Sequence, residues 1–120
     1  MKLPYGDDEI QFEIGQSRLI DKLVPRETPA AKTPYDSTRI ALNHPVDGNG
    51  LHAFVRKGCT VIIIVDDYTR PTSAGPICRA ILDELNSRGI DDSHVTVITA
   101  SGLHRPMNEI ELRVKLGPDS

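Results

Sequence analysis

Tryptophan is absent from these 120 residues, aromatic side chains make up 4% of them, and cysteine occurs twice. So few rings leave no platform on which bases could stack. A net charge of −3 with scattered Lys and Arg creates no field that gathers polyanions, so nucleic acid is not an expected partner. Long apolar runs are missing too. The longest, Val61 to Val65, is far short of a membrane span. No charged, apolar and small-residue leader opens the chain, and the expectation is a cytoplasmic protein with no membrane partner. Cys59 and Cys78 form no C-x-x-C pair and have no neighbouring His or thiol, which argues against metal or nucleophile chemistry. They read as inert buried thiols of a reducing compartment.

What is present suffices for one domain with a real core, although a hydrophobic content of 38% leaves surface for another domain or subunit. The expected organisation is a hairpin with strands over residues 1–24, a connector with short helices over 25–58, and a βαβα core over 59–117. Ile10, Phe12 and Ile14 alternate with Gln11 and Glu13 after a Gly6-Asp7-Asp8 turn, the period of a half-buried strand. Leu19 to Val24 reads as a further short strand. Pro25 to Pro34 is rich in Pro, Thr and Ala and reads as an extended connector. Asp36 or Ser37 can cap a short helix that ends before His44-Pro45, because the residue preceding proline avoids helical dihedrals. Leu51 to Arg56 reads as one or two helical turns.

The second half is more sharply written. Cys59 to Val65 is a β-branched run without alternation, as in a parallel strand buried on both faces. Thr72 or Ser73 then caps a helix with Pro76 in its first turn and an apolar stripe of Ile77, Ile81 and Leu85. Gly89 followed by Ile90 suits a Schellman ending. Val95 to Ala100 is the next strand, and Asn108 with Glu111 three residues on forms a capping-box start for a last helix closed by Gly117. The fold class is therefore α/β: a three-layer, Rossmann-like parallel sheet core preceded by a β-hairpin.

Parallel strands joined by a right-handed crossover send their following loops out at one carboxyl edge, the edge where open α/β sheets bind ligands. Two loops some 35 residues apart should then face one crevice. The first, Asp66-Asp67-Tyr68-Thr69-Arg70-Pro71-Thr72, runs into a helix N-terminus, whose N–H groups and dipole favour an anion. Arg70 adds a planar fork for a carboxylate or phosphate. The two Asp residues can orient that fork or accept a proton or hydroxyl from a ligand; the plainer alternative is a solvated turn in which Asp67 and Arg70 pair with each other. In the second loop, Ser101-Gly102-Leu103-His104-Arg105-Pro106, Gly102 permits close backbone approach to a ligand. His104 stands where a general acid–base group is wanted, against the alternative of a histidine bonded to its own loop. His44, His52 and His94 read as surface residues.

Asp67-Tyr68-Thr69-Arg70-Pro71-Thr72 and Ala100-Ser101-Gly102-Leu103-His104-Arg105-Pro106 resemble the two signature loops of the nickel-dependent lactate racemase family. Lys2-Leu3-Pro4-Tyr5-Gly6 and the helix after Asn108 resemble the same family, so the likeness runs over nearly the whole chain, as the N-terminal domain of a two-domain protein. It implies a racemase or epimerase that acts on a 2-hydroxy acid through a nickel pincer nucleotide, with a histidine taking the hydroxyl proton as hydride moves to the cofactor. On the matching positions His104 would be one of two acid–base histidines. Arg70 would hold the substrate carboxylate or a cofactor anion, with Asp67 supporting that network. Thr69, Thr72, Gly102 and Arg105 complete the implied substrate- or cofactor-binding set. The second histidine, the cofactor-tethering lysine and the nickel ligands belong to the family's C-terminal domain. That domain is the implied partner, no metal ligand is expected here, and Lys115 matches none of them. The 120 residues alone are expected to be inactive. The competing reading is a non-catalytic α/β module that binds a phosphate or carboxylate; Arg70 serves both readings, His104 only the first. An interaction domain for another chain is a third, resting on the modest hydrophobic content alone.

Overall fold

A computed structural model describes residues 1–21, 23–26, 28–29 and 32–117. The chain divides into two compact units, Met1–Ala30 and Ala31–Ser120. In the first, strands β1 (Lys2–Tyr5) and β2 (Asp8–Gln11) pair antiparallel across a tight turn, with Leu3 opposite Ile10 and an ion pair of 2.7 Å between Lys2 and Glu9. The hairpin is as expected, but its strands are exposed on both faces among the described residues rather than half-buried. Residues 16–18 coil into a 3₁₀ turn. The strand expected over Leu19 to Val24 is not formed among its described residues, and Lys22 lies outside them. A strand needs a ladder partner, and no described strand pairs with this stretch.

The second unit holds the α/β fold. Helix α1 (Pro34–Asn43) is capped by Thr33, not by Asp36 or Ser37: the Thr33 hydroxyl accepts from the Asp36 amide at 3.1 Å, and Pro34 takes the first helical position. The helix stops at His44-Pro45 as expected. The Leu51 to Arg56 stretch tightens to a single 3₁₀ turn, Leu51–Ala53. Strand β3 (Val61–Asp66) begins two residues later than expected, after a turn at residues 57–58. It pairs in parallel with β4 (Val95–Ala100), from Val61 opposite Val95 to Asp66 opposite Ala100. Helix α2 (Ala74–Ser87) makes the connection between them, and α3 (Glu109–Leu116) follows.

The start of α2 departs from expectation. Ser73 occupies the cap position without a side-chain cap bond, and the Thr72 hydroxyl turns away to Asp66. Its end is a full Schellman motif, in which Gly89 takes φ +76°, Ile90 N–H donates to Leu85 C=O and Gly89 N–H to Asn86 C=O. Leu85 and Ile90, at its two sides, are the largest fully buried side chains. Cys78 is buried and Cys59 half-buried, and burial pushes the Cys78 thiol pKa up. Helices α1 and α2 are tied by the Tyr35 hydroxyl donating to Asp83 at 2.7 Å and by Glu84, buried between Arg39 and Arg88. At the other end of α2, a Cβ on Gly75 would lie 2.5 Å from the Leu116 carbonyl oxygen, so glycine is what lets α3 end against the first turn of α2.

The sheet corrects one reading. Val61, Ile63 and Val65 are half-buried while Ile62 and Ile64 are 58% and 70% exposed, and in β4 Ile98 is exposed on the same alternation. A run without polar breaks therefore marks a strand with one covered face, not two, among the described residues. No described element covers Ile62, Ile64 and Ile98, so the expected third layer is not seen among the described residues. Truncating Leu85 to Ala is expected to cost about 2–5 kcal/mol of stability, whereas Ile64→Thr should change it by about 0.5 kcal/mol or less. Urea unfolding of the two variants measures both, and equal losses would contradict the one-sided burial.

Candidate functional site

Because β3 and β4 run parallel and in register, Asp66 and Ala100 end side by side, and the two following loops leave the same edge. The contact that joins them is a hydrogen bond of 2.5 Å between Asp67 Oδ2 and His104 Nδ1, across 37 residues. Asp67 is 3% exposed, while the His104 side chain is 52% exposed. The other carboxylate oxygen of Asp67 accepts from the Thr69 hydroxyl at 2.6 Å and the Thr69 amide at 3.1 Å. Three donors on one carboxylate favour its ionised form. The Thr69 hydroxyl, then His104, holds Asp67 down to about 2 against the desolvation that opposes it. An ionised Asp67 accepts a proton-bearing Nδ1, which leaves His104 Nε2 as the free ring nitrogen.

Local chemistry sets the histidine loop. Gly102 takes φ +56°, and the turn closes through His104 N–H donating to Ser101 C=O at 2.8 Å. On its far side, Asn108 and Glu111 form the expected capping box. Glu111 also grips Arg105 with two bonds, 2.8 and 2.6 Å, and the Arg105 guanidinium lies 4.9 Å from the Tyr68 ring centroid. The Tyr68 and His104 rings are 6.5 Å apart. Arg105, counted among the expected binding groups, thus spends its fork on Glu111. Arg105 first, then the Asn108 amide, holds the Glu111 carboxyl down to about 2.

Arg70 is placed differently from His104. Its guanidinium is exposed and makes no hydrogen bond or ion pair with a described residue; Asp67 serves His104 instead. Arg70, Tyr68 and Thr72 line a hollow of about 1400 Å³ that continues along α2 and α3 to Val95 and Val97, and His104 is not part of its lining. The amide of Ala74 is already used by the Thr72 carbonyl, and the Thr72 hydroxyl by Asp66 at 2.5 Å.

Sequence reasoning missed two residues of this region. Met107 is buried, with its sulfur 3.1 Å from the Tyr68 amide. Lys115 reaches back from the last turn of α3 to pair with Asp66 at 2.7 Å and to donate to the Arg70 carbonyl at 2.9 Å. Its placement in the last turn of α3, four residues after Glu111 and so on the same face, is the signal that was available.

The model of the lactate racemase N-terminal domain family matches residues 5–119. The lactate racemase of Lactiplantibacillus plantarum is 28% identical over 119 residues, 98% of this chain, and that of Thermoanaerobacterium thermosaccharolyticum is 25% identical over 122 residues, 99% of this chain. In each case the chain spans about 28% of the relative's length. The structure of the lactate racemase apoprotein from T. thermosaccharolyticum superimposes with a TM-score of 0.76 at 24% identity, over 98% of this chain and 27% of that one, which shows a shared fold.

Asp67 and Glu111 are both bound by the fold in their ionised form. The stabilisation they supply is complete above about pH 4.5 and is lost as the pH falls through about 2. Urea midpoints measured from pH 7 to pH 2 should fall steeply over that window. Asp67→Asn and Glu111→Gln should each be less stable at pH 7 and flatter below pH 4.5; an unchanged acid slope in both would contradict the assignment.

Proposed function

The chain belongs to the lactate racemase N-terminal domain family, and from that premise we propose that it forms one wall of a 2-hydroxy-acid racemase or epimerase site. The observation that carries the reading is the buried Asp67 carboxylate bonded to His104 Nδ1. An anion-binding module has no use for that pair. An acid–base catalyst does, since the carboxylate fixes the ring's orientation and tautomer and aims Nε2 outward.

In this reading His104 Nε2 accepts the proton of the substrate's C2 hydroxyl and returns it, while Asp67 stays ionised and balances the imidazolium that forms. Arg70, with its fork free, holds the substrate carboxylate or a cofactor anion through two parallel hydrogen bonds. Thr69 acts on Asp67 rather than on the ligand, and Arg105 with Tyr68 shapes the rim beside His104. Inversion at a carbon needs acid–base groups on both of its faces, and His104 supplies one. The second wall is assigned to a further domain of a longer protein.

The nickel pincer nucleotide that the resemblance implies finds no metal-holding cluster here: no three His, Cys, Asp or Glu gather for an ion among the described residues. Lys115, the one lysine that follows His104 in this sequence, is engaged by Asp66 and the Arg70 carbonyl and is no free tether. The residues present do not fit the cofactor by themselves. No helix among the described residues is long and apolar enough to cross a membrane.

The 120 residues alone should not racemise lactate. In a full-length protein carrying this domain, His104→Ala should lower kcat by about 10²–10⁴-fold, with Asp67→Asn close behind. Arg70→Lys should raise KM, because the fork that holds the anion in the ground state is lost. Steady-state racemisation followed by chiral chromatography distinguishes these, and wild-type turnover by His104→Ala would sink the catalytic assignment.

A further inference from the structure

Proline at position 71 removes the amide hydrogen from the Arg70–Pro71 peptide, so the Arg70 carbonyl is the only polar handle by which that peptide plane can be held. Lys115 Nζ donates to that carbonyl at 2.9 Å. The same ammonium lies 2.7 Å from Asp66 Oδ1, a buried oxygen that has no hydroxyl or amide donor, and the lysine side chain is only 6% exposed. The Arg70 amide, for its part, donates to the Asp67 carbonyl at 3.2 Å. Arg70 is thus gripped at both of its backbone polar groups, while its guanidinium makes no polar contact with a described residue.

We propose that Lys115 is a positioning residue for the anion-binding arginine: its ammonium fixes the Arg70–Pro71 peptide and so the direction from which the Arg70 fork meets a carboxylate. The inference rests on the reading of Arg70 as the carboxylate anchor. The physical argument is preorganisation. A side chain whose backbone root is already ordered loses less freedom when it binds, and a root free to rotate misplaces the fork. Asp66 makes the arrangement self-sufficient. It brings a permanent countercharge to a lysine that is almost out of water, and the Thr72 hydroxyl, 2.5 Å from its other oxygen, keeps that carboxylate in place. Lys115 and Thr72 together hold the Asp66 carboxyl below the usual carboxylate range. Helix α3, which begins just after His104, therefore braces the Arg70 loop with its last turn.

The test is a lactate titration of the 120-residue chain followed by NMR at the Arg70 amide and guanidinium, in wild type, Lys115→Met, Arg70→Ala and the Arg70→Ala/Lys115→Met double variant. Lys115→Met should weaken lactate binding about tenfold, the worth of one well-placed hydrogen bond. In the Arg70→Ala background the same change should have no further effect, because Lys115 acts through Arg70. A stranded Asp66 carboxylate could unfold Lys115→Met, so Asp66→Asn/Lys115→Met, which buries no unpaired charge, is measured alongside and should show the same tenfold loss. Wild-type affinity in either folded Lys115 variant, or an equal loss with and without Arg70, overturns the proposal and makes Lys115 a structural brace only. Absence of any lactate shift in wild type overturns the anchor reading of Arg70, and this inference with it.

Discussion

Parallel pairing of Val61–Asp66 with Val95–Ala100 forces the two following loops out at one end of the sheet, since neither strand can turn back without breaking the ladder. The pairing is in register to the last residue, and this is what sets Asp67 and His104 within bonding distance. A slip of one residue would send alternate side chains to the opposite face and leave Asp67 without its partner. Helix α2 is the element that enforces the pairing. Its Schellman end at Leu85 to Ile90 turns the chain back toward β4, and its first turn, at Gly75, receives the end of α3.

From that frame the site is assembled by a chain of short polar contacts among the end of β3, the two loops and α3. Thr69 holds Asp67, Asp67 holds His104, Glu111 holds Arg105 over Tyr68, and Lys115 holds Asp66 and the Arg70 carbonyl. Each link joins a group that would otherwise be buried or charged without a partner. Asp67 is committed to the histidine, and the Arg70 fork is left without a polar partner among the described residues.

How much of this was legible depends on the range of the interaction. The capping box of Asn108 and Glu111, the Schellman ending at Gly89, the stop before Pro45 and the β-branched strand at Val61 are decided within a few residues, and the sequence carries them openly. The placement of both loops at one edge follows from topology. What was not legible is decided at a distance. Thr33 outcompetes Asp36 and Ser37 because Pro34 sets the first turn. Ile62 and Ile64 look like core residues by composition, yet their face has no cover among the described residues. The choice of Asp67 for His104 over Arg70, and of Lys115 for Asp66, are pairings across 37 and 49 positions that periodicity does not encode.

The open face of the sheet has a consequence in the language of heat capacity. Ile62, Ile64 and Ile98 expose hydrocarbon to water among the described residues, whereas the contacts that hold Asp67, His104, Asp66 and Lys115 are between charges and dipoles. Releasing that water would lower the heat capacity of the system and would gain strength on warming from the cold, while the ionic contacts respond to salt and acid. The two halves of this small unit therefore answer to different variables: its loop-bearing edge to proton and salt concentration, its bare isoleucine face to temperature.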